Sequence, residues 1–263
     1  MKDKQELEML LKSLHLPAFV RHYDSFADKA QKTKLGHTAY LHELAKVESD
    51  ERYNRRTERL LKLSKLPAGK TLEAFELRGQ VGLSSSRLQE LASGDCLDHC
   101  ENILIFGLPG TGKTHLSAAL GREWCLRGRR VLCTTAASLV QELLSAKRDL
   151  TLNAMIKRLD SYEALIIDDI SYVPQDRDET DVLFVLLAAR YENRSVVITS
   201  NLAFSGWNTI FKDAMTTKAA IDRLVHHGTI LELIQLEGES YRERQAKSKN
   251  KSSRAKTPAK VEF

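Results

Sequence analysis

A glycine-rich segment carries the residue types that bind a triphosphate. It reads Gly107-Leu-Pro-Gly-Thr-Gly-Lys113-Thr114, which fits the phosphate-binding pattern G-x-x-x-x-G-K-T. Glycines let the backbone wrap a phosphate with its N–H groups pointing inward, and the amino end of a following helix adds positive potential. Lys113 is expected to bind the β- and γ-phosphates, and the Thr114 hydroxyl to bind magnesium. The predicted nucleotide site comprises Gly107, Leu108, Pro109, Gly110, Thr111, Gly112, Lys113, Thr114 and His115.

Two adjacent carboxylates, Asp168 and Asp169, follow the apolar run Leu165-Ile-Ile. Asp168 is expected to hold magnesium together with Thr114, and Asp169 to activate the water that attacks the γ-phosphate. The alternative is a strand end followed by a helix cap. Asn201 ends another apolar run, so it should reach the same sheet edge and position that water. A turn-forming Asn is the alternative there.

These side chains need a parallel sheet to bring them together. From Asn102 onward, short apolar runs alternate with longer helical patterns, which is typical of a parallel sheet covered on both faces. We predict an α/β fold with five parallel strands, at residues 103–106, 131–134, 164–168, 196–200 and 229–233. Helices are predicted at residues 113–126, 138–147, 152–159, 180–192 and 218–225.

The amino-terminal part reads as a small all-helical domain. Leu7, Leu10, Leu11 and Leu14 have helical spacing, and this helix should end before Pro17. A second helical pattern covers about residues 38–64. We predict four parts: residues 1–66 as a helical domain that binds DNA or a partner, 67–97 as a connector, 98–245 as the nucleotide-binding domain and 246–263 as a basic disordered tail.

The second helical pattern carries a row of cations at steps of three and four, which we call the basic stripe: Arg52, Arg55, Arg56, Arg59 and Lys62. Glu51 and Glu58 are the acids expected to neutralise these five cations, so the pattern favours contact with phosphates. A solvated face with intrahelical ion pairs is the alternative. The pair Lys147 and Arg148 is a further candidate DNA contact, with a solvated basic loop as its alternative.

Composition narrows the class of protein. The 263 residues are 42% hydrophobic and 29% charged, with a net charge of +5. No apolar run approaches the roughly 20 residues of a membrane span, so we expect no membrane contact and a cytoplasmic location. Four cysteines are too few for a disulfide scaffold, and Cys96, His99 and Cys100 lack the further ligands of a zinc site. The basic tail could touch nucleic acid or simply keep the protein soluble.

Beyond the phosphate loop, the chain resembles a known family through longer phrases. These are Leu66-Pro-Ala-Gly-Lys-Thr-Leu-Glu-Ala-Phe75, Arg190-Tyr-Glu-Asn-Arg-Ser195, Thr199-Ser-Asn201, Asp222-Arg-Leu224 and Gly238-Glu-Ser-Tyr-Arg242. With them, about residues 7–242 resemble the IstB-like helper ATPases of insertion sequences, which are relatives of the DnaC and DnaI helicase loaders within the AAA+ superfamily.

The resemblance implies an ATP- and Mg²⁺-dependent homo-oligomer with ATP at its subunit interfaces. Such a protein binds double-stranded DNA, hydrolyses ATP slowly and helps its cognate transposase to engage the target. Asn201 resembles sensor 1, Arg223 the arginine finger and Arg242 a second sensor. Asp169 stands where most AAA+ proteins have Glu. Arg223 could instead form a surface ion pair, for example with Asp222.

Three other functions would use the same phosphate-binding loop. A helicase loader of the DnaC or DnaI kind would share the ATPase core. A small-molecule kinase would also use the phosphate loop, and a non-hydrolysing module would use ATP only to hold subunits together.

Overall fold

The computed structural model describes residues 2–77, 80–81, 83–172, 177–210 and 214–235. The chain divides into two compact units, Met1–Arg59 and Leu60–Phe263.

The amino-terminal unit is helical, as the sequence predicts. Its helices are α1 (Lys2–Ser13), α2 (Pro17–Thr33) and α3 (His37–Leu63), the last of which runs on into the second unit. Helix α2 is not among the predicted helices, because Pro17 is expected only to follow the end of the first helix. Proline also suits the first position of a helix, where no N–H is needed, and Pro17 occupies that position.

A buried carboxylate joins α2 to α3. Glu48 of α3 is only 4% exposed. It accepts hydrogen bonds from the Ala18 N–H in the first turn of α2 (2.7 Å) and from Arg52 Nε (2.7 Å). Burial alone would raise the pKa of Glu48, but the hydrogen bonds from Arg52 and Ala18 outweigh it and lower the pKa. Glu48 therefore acts as an ionised cap for α2.

The second unit is built on a sheet of five parallel strands, which confirms the predicted fold class. In chain order the strands are β1 (Gln80–Val81), β2 (Asn102–Gly107), β3 (Val131–Thr135), β4 (Ala164–Asp168), β5 (Ser195–Ser200) and β6 (Gly228–Gln235). Their order across the sheet is β1-β6-β2-β5-β4-β3. The short β1, which the sequence did not predict, pairs antiparallel with β6 and adds a sixth strand at the edge.

Helices cover both faces of this sheet. They are α4 (Ser85–Ser93), α5 (Asp95–Asp98), α6 (Lys113–Leu126), α7 (Ala136–Arg148), α8 (Leu152–Asp160), α9 (Arg177–Arg190) and α10 (Ala214–His226). Successive strand residues face opposite sides, so Ile105 packs in the core beneath α4 and α6, whereas Leu104 and Phe106 pack in the core beneath α7 to α10. The sheet is thus buried on both faces, which explains its continuous apolar runs.

The segment at residues 67–97, predicted as a connector, contains β1, α4 and α5. Phe75, Leu91 and Leu97 are buried in the same core as α6. Trp124 of α6 is fully buried and donates its indole N–H to the Leu91 carbonyl (2.9 Å). The described residues of this segment therefore pack against α6 of the second unit.

Among the described residues, no helix is both long enough and apolar enough to cross a bilayer. All four cysteines are free thiols, and Cys96, Cys125 and Cys133 are buried.

Candidate nucleotide-binding site

The phosphate loop connects the end of β2 to the start of α6, as the sequence predicts. Lys113 is the first residue of α6, and its Nζ donates to the carbonyls of Gly107 (2.7 Å) and Leu108 (2.9 Å). The Thr111 hydroxyl donates to the Leu108 carbonyl (2.9 Å). These bonds hold the loop in a closed turn with the lysine ammonium against it.

Two of the loop glycines are required by close approach. A Cβ at Gly107 would lie 2.6 Å from the Leu233 carbonyl oxygen and 2.8 Å from the Thr111 hydroxyl. Gly112 has a φ of +97°, and a Cβ there would lie 3.2 Å from the ring of Phe75. Any side chain at either position would displace the loop from β6 or from the segment before β1.

The first carboxylate of the acidic pair is bonded to the loop threonine. Thr114 Oγ1 lies 2.9 and 3.1 Å from the two oxygens of Asp168. Thr199 Oγ1 donates to Asp168 Oδ1 at 2.7 Å. Asp168 therefore stands at the carboxyl end of β4, directly beside the amino end of α6.

The second carboxylate is held by the predicted amide. Asn201 Nδ2 donates to Asp169 Oδ2 at 2.9 Å. The structure thus brings together the side chain predicted to activate the attacking water and the one predicted to position it. Asp169 has a φ of +57°, a left-handed conformation that costs most residues about 1–2 kcal/mol but that Asp tolerates better. Its other oxygen, Oδ1, is buried and has no hydrogen-bond partner among the described residues.

Two hydroxyls for which no role is predicted complete this edge. The Asp169 N–H donates to Thr199 Oγ1 (2.8 Å), so Thr199 bridges the two aspartates. Ser171 Oγ accepts the Asn201 N–H (3.0 Å). The contact between Thr199 and Asp168 follows from the register of the sheet. Ile167 pairs with Ile198, and the next residues along the two strands are Asp168 and Thr199.

His115, predicted to contact the nucleotide, bonds to the segment before β1. Its Nε2 lies 2.9 Å from the Thr71 carbonyl oxygen, and its ring makes an edge contact with Phe75 at 5.5 Å between centroids. Burial lowers the pKa of His115, which keeps the imidazole neutral at physiological pH. His115 thus fixes the segment containing Phe75 against the loop; a contact with nucleotide stays a prediction.

The oxygen ligands at this edge fit a magnesium ion. Mg²⁺ prefers hard oxygen donors, usually one or two carboxylates or hydroxyls together with phosphate oxygens and water. Thr114 and Asp168 supply such oxygens within 3.1 Å of each other. The buried, unpartnered oxygen of Asp169 adds negative potential beside them.

Arg223 lies at the other end of the sheet. Its guanidinium stacks over the ring of Phe184 on α9, 4.7 Å from the centroid, and its Nη1 is buried without a hydrogen-bond partner in the described part of the chain. Asn102, at the amino end of β2, donates to the carbonyl of Leu224, the next residue of α10 (3.3 Å). Arg223 is therefore not gathered with Asp168, Asp169 and Asn201 at the carboxyl end.

The basic stripe is exposed along α3, but part of its charge is paired within the chain. Arg52 and Arg55 both approach Glu48, at 2.7 and 3.6 Å, an acid beyond the two expected to neutralise the stripe. Glu51, one of those two, pairs with Arg21 instead. Arg56, Arg59 and Lys62 are also exposed.

The remaining predicted residues divide into two groups. Lys147 forms an ion pair with Asp178 (2.9 Å), and Arg148 beside it is exposed at the end of α7. Arg242 and the basic tail lie outside the described residues. Their roles stay predictions.

Comparison with known proteins identifies the family. Residues 9–250 match the family described as IstB-like ATP binding protein. A putative insertion sequence ATP-binding protein of Sinorhizobium fredii is 44% identical over 245 residues, covering 93% of this chain and 81% of that protein. The insertion sequence IS21 putative ATP-binding protein of Pseudomonas aeruginosa is 36% identical, covering 96% and 94%.

Solved structures agree on the fold. AMPPCP-bound DnaA from Aquifex aeolicus superposes with a TM-score of 0.54 at 23% identity, covering 72% of this chain and 56% of that one. DnaI superposes with a TM-score of 0.51 at 20% identity, covering 65% and 95%. The nucleotide-binding unit thus has the AAA+ fold, and the chain belongs to the family of IstB-like ATP-binding proteins.

Proposed function

We propose that this protein is an ATPase that hydrolyses ATP at the carboxyl edge of its sheet. The observation that carries the proposal is the pairing of Asp169 with Asn201 (2.9 Å), beside an Asp168 that is bonded to the loop threonine. A water-activating carboxylate must be oriented, and an amide orients it without adding charge.

In this mechanism the loop N–H groups and Lys113 bind the β- and γ-phosphates of ATP. Thr114 and Asp168 would hold Mg²⁺, which supplies neutralisation of phosphate charge. Asp169 accepts a proton from water while Asn201 fixes the direction of attack. The water oxygen bonds to the γ-phosphorus as the bond to the β–γ bridging oxygen breaks, which releases ADP and phosphate.

We propose further that Arg223 completes the site of a neighbouring subunit. One feature supports a role in trans: Arg223 stands at the sheet end opposite to its own acidic pair, beside Asn102 at the amino end of β2. Stacking on Phe184 holds this partly exposed side chain in place. ATP would then sit between subunits of a homo-oligomer, and hydrolysis would require assembly.

Double-stranded DNA is the proposed ligand of the basic stripe and of Lys147 and Arg148. The stripe is an exposed row of five cations with helical spacing, which suits the regularly spaced phosphates of a duplex. The relatives of this protein carry names that assign them to insertion sequences. On that basis the assembled protein engages a transposase at its target. Loading of a helicase is the alternative, and only the likeness in fold supports it.

The proposal is tested by measuring phosphate release from ATP, with and without duplex DNA, for the native chain and for Lys113→Ala. We expect Mg²⁺-dependent turnover that DNA increases, and loss of nucleotide binding in the variant, because Lys113 supplies the charge that faces the phosphates. Arg127→Ala, on the surface of the nucleotide-binding unit, is a matched control and should behave as the native chain. Equal turnover by Lys113→Ala and the native protein would contradict the proposal.

A further inference from the structure

A cluster of metal-ligand side chains lies at the amino ends of the strands, away from the nucleotide. Glu192 follows α9, His226 ends α10 and His227 precedes β6. One ligand atom from each lies within 4.8 Å of the others, and His227 Nε2 is 3.7 Å from Glu192 Oε1. The two imidazole rings are 4.2 Å apart between centroids. All three side chains are exposed to incoming ions.

Buried hydrogen bonds fix the backbone that carries Glu192. Arg190, two residues earlier, is fully buried and donates to the carbonyls of Leu159 (2.9 Å), Tyr162 (3.0 Å) and Ser195 (2.9 Å). Burial lowers the pKa of Arg190 to about 10, so it remains charged at neutral pH. The turn between α9 and β5 is therefore pinned at both ends.

The two histidines are fixed in a similar way from β2. The N–H of Asn102 donates to the His227 carbonyl (2.8 Å), and its side-chain amide donates to Leu224 in the last turn of α10 (3.3 Å). The same side chain accepts the Val196 N–H of β5 (2.9 Å). Asn102 thus ties together the two chain segments that present the ligands, which limits the ordering that binding requires.

A tyrosine completes the surroundings of His226. The Tyr191 hydroxyl lies 2.9 Å from His226 Nδ1. Histidines that bind metals commonly use one ring nitrogen as the ligand and give the other to such an outer partner, which orients the ring. Because the hydroxyl occupies only one nitrogen, the other remains to bind a metal.

From this geometry we infer that Glu192, His226 and His227 form a binding site for a divalent transition metal of the zinc class. Two imidazoles and a carboxylate suit Zn²⁺, whereas Mg²⁺ and Ca²⁺ prefer oxygen donors. Ligand atoms about 2.0–2.1 Å from a tetrahedral zinc lie roughly 3.3 Å apart, so no pair needs to close by more than about 1.5 Å. Rotamer changes of exposed side chains supply that movement, and water is the fourth ligand.

The site is separate from the catalytic edge. The five steps along β2 from Asn102 to Gly107 span roughly 16 Å at about 3.3 Å per residue. A bound metal would link the turn after α9 to the end of α10. These two helices carry Phe184 and Arg223, respectively. Its test therefore needs neither nucleotide nor turnover.

Cys96, His99 and Cys100 are the rival ligands within the chain. Zinc binds thiolates, and burial raises the pKa of Cys96 to about 11, which disfavours the thiolate at neutral pH. The rival is nevertheless measured directly, through His99→Ala.

The experiment titrates Zn²⁺ into untagged, nucleotide-free, full-length protein by calorimetry, and Co²⁺ by visible absorption. We expect one tight equivalent with a tetrahedral Co²⁺ spectrum, and at least a tenfold loss of affinity in Glu192→Gln and in His227→Gln. The exposed control His42→Ala and the rival His99→Ala should bind as the native chain does. Circular dichroism confirms that each variant is folded.

Three results would overturn the inference. The native chain could take up neither metal, both ligand variants could bind as tightly as the native chain, or His99→Ala could abolish binding. Because no ATP hydrolysis is measured, failure here leaves the proposed ATPase unaffected, and failure of the ATPase leaves this site unaffected.

Discussion

The nucleotide edge and the basic stripe both concentrate charged side chains, but they hold them in different ways. At the nucleotide edge, Asp168 and Asp169 are each bonded to a side chain of β5 or of the residue after it. Along the stripe, exposed arginines project from one helix, and two of them share the buried Glu48. Bond making requires a fixed geometry, whereas a row of exposed cations suffices to attract phosphates.

This comparison separates the expected consequences of mutation. Changes in the acidic pair should lower the rate of hydrolysis while ATP is still bound. Changes in the stripe should weaken DNA binding and leave hydrolysis in the absence of DNA unchanged.

The largest effect is expected from a change at Arg223, which is proposed to act on the nucleotide of a neighbouring subunit. Arg223→Ala should lower DNA-stimulated hydrolysis by about 10³-fold, because an arginine finger stabilises transition-state charge. Phosphate release at saturating ATP measures it. Mixing Arg223→Ala with Asp169→Asn sharpens the test, since some mixed interfaces join an intact finger to an intact acidic pair. Activity restored by mixing supports action in trans; no loss in Arg223→Ala alone would contradict the finger.

Asp169→Asn should lower the rate of hydrolysis by about 10²-fold while the affinity for ATP is kept. The substitution preserves shape but removes the carboxylate that accepts the proton of water. Single-turnover hydrolysis and binding of a fluorescent ATP analogue measure the two quantities separately. Asp149→Asn, an exposed isosteric change at the end of α7, is the control. Undiminished turnover in Asp169→Asn would remove this residue from the mechanism.

In the basic stripe, Arg55→Ala combined with Arg59→Ala should weaken binding to all duplex sequences alike. Loss of two phosphate contacts should reduce the slope of log affinity against log salt by about 1.8. Fluorescence anisotropy at several salt concentrations measures it, with hydrolysis of ATP in the absence of DNA as a readout that should not change. An unaltered slope would show that the basic stripe does not contact DNA phosphates.

A smaller, local effect is expected from Glu48→Gln. Removing the charge should destabilise the amino-terminal unit by about 1–3 kcal/mol, the range for a hydrogen bond to a charged group. The pKa of Glu48 is lowered in the folded protein, so its contribution is complete above the ordinary value of 4.5 and is lost as pH falls through the folded pKa. Hydrogen exchange at the Ala18 amide measures it.

The expected pH profile distinguishes the two proteins. In the native chain, protection of the Ala18 amide should fall below about pH 4.5, whereas in Glu48→Gln it should start lower and change less over that range. Identical profiles would show that Glu48 does not act as an ionised cap.

Much of the nucleotide-binding unit could be predicted because local pattern and tertiary position agree there. Lys113–Leu126 begins and ends as predicted, since a glycine loop and a buried apolar face mark it. Other features depend on distant pairing. The two-residue β1 exists only through β6, and the role of Thr199 follows from the register of β5 beside β4. The capping role of Glu48 likewise depends on Ala18, which lies 30 residues away.

The central claim is that ATP bound at the carboxyl edge joins subunits on DNA. Sedimentation velocity of the full-length chain tests it most directly, with a non-hydrolysable ATP analogue and duplex DNA added singly and together. The account predicts a larger, DNA-containing species when both are present and its loss in Lys113→Ala. A chain that stays monomeric and does not bind DNA when saturated with the analogue would contradict it.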